Sequence, residues 1–122
     1  MREIKYRVYV LGKMYTVKQL IWDDRLYIVT DSGFVDANDE HVVLMQYIGI
    51  KDKNNKEIYE GDIVKQDRFD DLNGEFTGVI KFGFKGFHIY MDQMSEYYYL
   101  EFSRPLEIIG NIHENPELLT IN

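Results

Sequence analysis

The chain has 122 residues, 45% hydrophobic and 29% charged, which fits about one folded domain and excludes disorder along its whole length. It has no Cys, so disulfide frameworks, thiolate nucleophiles and Cys-ligated zinc are excluded. The net charge of −7 is uneven: Lys and Arg number 6 against 7 Asp and Glu in residues 1–43, 4 against 4 in 44–66 and 4 against 10 in 67–122. The last part should therefore repel phosphate backbones.

Read in order, the chain alternates like a series of short strands. In IKYRVYV (4–10), Ile4, Tyr6, Val8 and Val10 point one way and Lys5, Arg7 and Tyr9 the other, a half-buried strand. Leu11, Gly12 and Lys13 supply a turn, and MYTV (14–17) returns as the second arm of a hairpin. Gln19–Asp24 holds Leu20, Ile21 and the sole Trp, Trp22, and is too short to assign. A turn at Asp23–Arg25 leads into the strand RLYIVT (25–30). Asp31–Gly33 is a turn, Phe34 and Val35 extend a strand, and Asp36–Glu40 is a polar loop.

HVVLMQYI (41–48) reads as a strand ending at Gly49. KDKNNKE follows, with Asp52, Asn54 and Asn55 as turn residues, read as a two-residue Asn54–Asn55 turn. Ile58–Tyr59 resumes the apolar pattern. Glu60–Gly61–Asp62 makes a corner, in which Gly allows the bend and Asp can bond back to the turn backbone, before Ile63–Val64 enters a strand. Asp67–Gly74 is long and charged, hence the expected mobile loop.

FTGVIKF (76–82), a GFKG turn (83–86) and FHIYM (87–91) form the next hairpin. In YYYLEF (97–102), Glu101 should face water, which places Tyr97 and Tyr99 on the outer surface as candidate binding or subunit-interface residues. Pro105 precedes the last strand, LEIIGNI (106–112), with Gly110 counted among the structural turn residues. Asn115–Pro116 reads as a cap followed by at most one or two helical turns. No segment of a dozen residues shows helical periodicity.

The class is mainly β: a small SH3-like barrel over about residues 58–113, N-terminal hairpins, and a short C-terminal helical turn. The chain reads as one unit, 1–122, with a subdivision into 1–57 and 58–122.

Two blocks carry a family resemblance. LMQYIGIKDKNNKEIYEGDIV (44–64) resembles the signature of the YopX family of bacteriophage and prophage proteins, and EIIGNIHENPELL (107–119) resembles its C-terminal segment. IKYRVY with Lys13–Tyr15 is similar more weakly. Asn54–Asn55 stands where Asn-Gly is usual, and Ile48 where Thr is usual. The resemblance implies a phage- or prophage-encoded, mostly β protein. It implies no catalytic residues.

Motifs with chemical meaning reduce to folding chemistry. Asp52-x-Asn54-x-Lys56 starts like a calcium loop, but Glu57 stands where Gly is needed and Ile63 at the bidentate position. Gly83–Gly86 matches a GxxG clamp, yet lies between strands rather than helices. His41, His88 and His113 lack partners at metal spacing. Asp23–Asp24 and Asp70–Asp71 are loop neighbours without apolar enclosure, and no Ser has a nucleophile-elbow context.

The reading is a non-enzymatic interaction protein, without catalytic or metal residues or cofactor. It is expected to be cytoplasmic, since no leader or membrane-length apolar run is seen, and to self-associate or bind a host or phage protein. A second reading is nucleic-acid binding through the basic N-terminal strands (Arg2, Lys5, Arg7, Lys13, Lys18), which the net charge disfavours. A third is an acidic DNA mimic that blocks a host factor.

Overall fold

The computed structural model describes residues 5–67, 75–83, 86–91, 96–99 and 105–119. The strands in chain order are β1 (Tyr6–Val10), β2 (Lys13–Thr16), β3 (Gln19–Trp22), β4 (Leu26–Thr30), β5 (Gly33–Asp36), β6 (Val42–Lys51), β7 (Glu57–Tyr59), β8 (Asp62–Asp67), β9 (Glu75–Gly83), β10 (Gly86–Met91), β11 (Glu96–Tyr99) and β12 (Leu106–Asn111). Among the described residues the one helical segment is a 3-10 turn, Pro116–Leu119. None of their helices is long and apolar enough to cross a membrane. The mainly β class therefore holds.

The chain divides into two compact units, Met1–Tyr47 and Ile48–Asn122. In the first, β1 lies between β2 and the start of β6, antiparallel to both, with Val8 opposite Tyr15 on one side and Leu44 on the other. The β1–β2 connection is a two-residue turn with positive φ at Leu11 (46°) and Gly12 (88°), the twist that matches a right-handed hairpin. The unassigned run Gln19–Trp22 is a strand: it pairs with β4, which pairs with β5, in a three-stranded antiparallel sheet of order β3-β4-β5. Its four residues are too few for periodicity alone to define, and the cross-strand partner decides.

In the second unit a five-stranded sheet runs in the order β11-β10-β9-β8-β12. Ile48 of β6 and Ile58 of β7 join Val64, Ile80, Ile89 and Leu106 of that sheet to form the core of the unit, with Ile50, Phe87 and Ile108 against them. The register explains the choice: Ile80 faces Ile89 and Ile108 faces Val64, so alternate residues fall on one face. Each such side chain removed from water contributes about 1.5–3 kcal/mol.

The C-terminal helical segment is a four-residue 3-10 turn, Pro116–Leu119. The Asn115 side chain is turned back, its Oδ1 accepting the N–H of Asn111 at 3.2 Å, and Leu118 N donates to Asn115 O in an i to i+3 bond. The result is a single tight turn rather than an α-helix. The charged loop 68–74, the GFKG tip and the strand end after Tyr99 lie outside the described residues, at least in part.

Candidate interaction surface

Three buried polar residues of the second unit, Asp52, Asp62 and Asn111, hold turns. Asp52 is 6% exposed, and its Oδ1 accepts the N–H groups of Asn54 and Lys56, both at 2.9 Å, while Oδ2 accepts Ile108 N at 3.0 Å. Burial pushes its pKa up, but these three N–H donors and the Lys56 charge outweigh that and hold it below the usual carboxylate value. Asn55 N also bonds Asp52 O and Asp52 N bonds Lys56 O, so Lys53–Asn55 is a three-residue loop rather than a two-residue turn. Asn55 takes the left-handed position, φ 68°.

The second corner follows the same logic. Gly61 has φ 86°, its N–H donates to Ile80 O, and its carbonyl accepts Ile112 N. Asp62 is buried, and its Oδ2 accepts Tyr59 N at 2.8 Å. Gly49 lies inside β6 with φ 97°. Gly110 lies inside β12 beside a bulge, where a Cβ would come within 2.7 Å of Asn115 Oδ1. Asn111 was not singled out from sequence. It is buried, its Oδ1 accepts His113 N and Glu114 N, and its Nδ2 donates to Glu114 Oε1. Asn followed by Ile-His-Glu-Asn-Pro is the turn-forming signal that could have marked it. Among the described residues no group of His, Cys, Asp and Glu could hold a metal ion.

Tyr97 and Tyr99 lie on β11, with Tyr97 opposite Tyr90 and Tyr99 opposite His88 by backbone register. Their side chains lie outside the described residues.

A surface that can meet a partner is found in the first unit. Register across β3-β4-β5 puts Gln19, Val29 and Phe34 in one row and Ile21, Tyr27 and Asp36 in the next. These six share a face. Leu20, Ile28 and Val35 share the other, and Ile28 is fully buried, which makes that the inner face. The outer face of an antiparallel sheet is ordinarily polar. Here Phe34 is 71% exposed and Ile21 41%, and Tyr27 meets Phe34 edge-on at 6.0 Å. One end is fixed by Arg25 Nη1 against Asp36 Oδ2 at 2.7 Å; this bond, with the N–H of Asn38, holds the Asp36 pKa down. Sequence reading did not single out this face. The signal was Leu26–Val29, apolar at four consecutive positions and therefore on both faces.

The described strands and their side-chain-locked turns define an all-β protein of two small units. Its exposed apolar sheet face is suited to contact, and its buried carboxylates are spent on backbone N–H groups. The chain belongs to the YopX family: the family model for YopX protein matches residues 5–120. It is similar to the crystal structure of protein EF1440 from Enterococcus faecalis, at 25% identity and TM-score 0.71 over 98% of this chain and 100% of that one. It also shares the fold of protein yopX from Bacillus subtilis, at 23% identity and TM-score 0.65 over 95% and 98% of the two chains. Comparison with curated proteins finds no match.

Proposed function

We propose that this YopX-family protein is a phage- or prophage-encoded, non-enzymatic interaction protein that works in the cytoplasm of a bacterial host, docking a protein partner on the outer face of its β3-β4-β5 sheet. The observation that carries the reading is Phe34, 71% exposed beside Ile21, Tyr27 and Val29 on a face that water alone would make polar. Aromatic side chains in such a position supply contact area at little entropic cost. The five short antiparallel strands of the second unit fit a small SH3-like barrel as the scaffold. Tyr97 and Tyr99 on β11 are kept as a second candidate contact. The bacterial sources of the two similar structures agree with a bacterial host.

Affinity capture from bacterial lysate with the wild-type chain and with Phe34→Glu tests this. Wild type is expected to retain a specific protein that the variant loses, with unchanged circular dichroism. Equal capture by both, or none by wild type, overturns the reading.

A further inference from the structure

We infer that the outer edge of β3 is a homodimer site, at which Gln19–Trp22 pairs antiparallel with the same strand of a second copy. The inference deepens the reading of the first unit as a contact surface, and rests on it only in placing function there. Among the described residues β3 ends its sheet, since the order is β3-β4-β5.

The backbone directions can be assigned. Asp23 N donates to Arg25 O, and on the far side of β4 Ala37 N donates to Leu26 O. N–H and C=O directions alternate along a strand, so Ile21 and Gln19 face β4 while the main-chain groups of Leu20 and Trp22 face the open edge. Edges of this kind are usually blunted by charge, proline or a bulge. Gln19-Leu20-Ile21-Trp22 has no charge or proline, and its register with β4 runs without a shift.

The edge also specifies its occupant. A two-fold antiparallel mate must set outward-facing residues opposite one another. Lys18 N is already committed to Val29 O. The register that uses both remaining outward residues twice therefore centres on Ile21. Leu20 then lies opposite Trp22 of the second copy, Ile21 opposite Ile21, Gln19 opposite Asp23, and Lys18 opposite Asp24. Opposite charges meet at both ends and none meet in the middle. Lys18 Nζ now lies 3.6 Å from Asp31 Oδ1 in a solvent-open ion pair, which a second carboxylate can share. Trp22, 77% exposed in the single chain, gains a cover. The first unit carries 6 Lys and Arg against 7 Asp and Glu over residues 1–47, so two copies meet there without the repulsion of the whole chain's −7.

The register gives a test that few other arrangements would pass, because residue 21 faces itself. Sedimentation velocity of the full chain at up to about 100 µM, the weak end expected of a small interface, should show a dimer. Fluorescence of Trp22 should shift to shorter wavelength as concentration rises. Ile21→Lys and Ile21→Glu, each with unchanged circular dichroism, should each be monomeric, and an equimolar mixture should recover the dimer. A wild-type monomer, dimers that persist in either variant alone, or a mixture that stays monomeric would overturn the inference. A monomer that still captures a partner through Phe34 would leave the proposed function standing, so the two failures can be told apart.

Discussion

The carboxylate of Asp52 accepts the backbone N–H of Ile108 at 3.0 Å across 56 residues of chain. The bond joins the two stretches that carry the family resemblance, 44–64 and 107–119. They are joined again by Ile112 N to Gly61 O and by the pairing of Asp62 with Asn111, and Lys53 N donates to Leu106 O just before the second stretch. From Ile48 onward the two stretches are thus joined within one hydrogen-bonded region of the second unit. Its Asp and Asn side chains hold turns in place, which accounts for their spacing in the motif.

Replacing Asp52 tests how much this region stabilises. Asp52→Asn keeps one oxygen for Asn54 N and Lys56 N but presents an amide N–H₂ to Ile108 N, a donor against a donor. A loss of about 1–3 kcal/mol is expected for that one position. The pH dependence has a definite sign. The folded carboxyl has a lowered pKa, so its contribution is complete above the unfolded value and is lost as pH falls through the folded one. The gap in Tm between wild type and Asp52→Asn should therefore be constant near neutrality and close below about pH 4. Thermal melts of both proteins across that range measure it.

Gly110 predicts a different cost. An added Cβ would lie 2.7 Å from Asn115 Oδ1 and 2.8 Å from Leu118 Cδ1. Asn115 cannot retreat without releasing Asn111 N. Gly110→Ala should lower stability by about 1–3 kcal/mol, and hydrogen exchange should show weaker protection at Asn111 N and Leu118 N than elsewhere.

Burial separates two strand isoleucines, Ile58 and Ile21. Ile58 is fully buried in the six-residue core, and Ile58→Ala should cost about 2–5 kcal/mol. Ile21 is 41% exposed, and Ile21→Lys should change the stability of the single chain by less than about 0.5 kcal/mol. Chemical denaturation at low protein concentration distinguishes them.

Tyr6–Val10 was legible as a strand because its side chains alternate and one buried face fixes a period of two, whereas Leu106–Asn111, with adjacent Ile108 and Ile109 and a bulge, was legible only as a short apolar run after Pro105. Corners were legible at Gly61 and Asp52, since few residues fit positive φ or bond back to a turn. Three features were not. β3 is too short for a period, the bond that Asn115 Oδ1 accepts from Asn111 N has no signal in the sequence, and the outer face of β4 needs its neighbours in register before it becomes a patch. Each depends on a cross-strand or side-chain partner that local pattern does not contain.

The two non-glycine residues with positive φ differ in a way that yields the last prediction. Asn55 has φ 68° and Leu11 φ 46°. Asn reaches this region at small cost because its short polar side chain can bond locally, whereas Leu brings the full clash of Cβ with the backbone, about 1–2 kcal/mol. Leu11 is also 77% exposed, so it contributes little packing to offset that strain. Leu11→Asn should therefore raise stability by about 1 kcal/mol, since Asn-Gly is the preferred pair in such a turn. Asn55→Gly should be within about 0.5 kcal/mol of neutral, because relief of strain is balanced by a more flexible unfolded chain. Denaturant midpoints for the two variants, compared at equal slope, decide the order. Should Leu11→Asn prove destabilising, Leu11 makes a contact that its exposure in the single chain does not reveal, and the β1–β2 tip would join the β3 edge as a place to look for a partner.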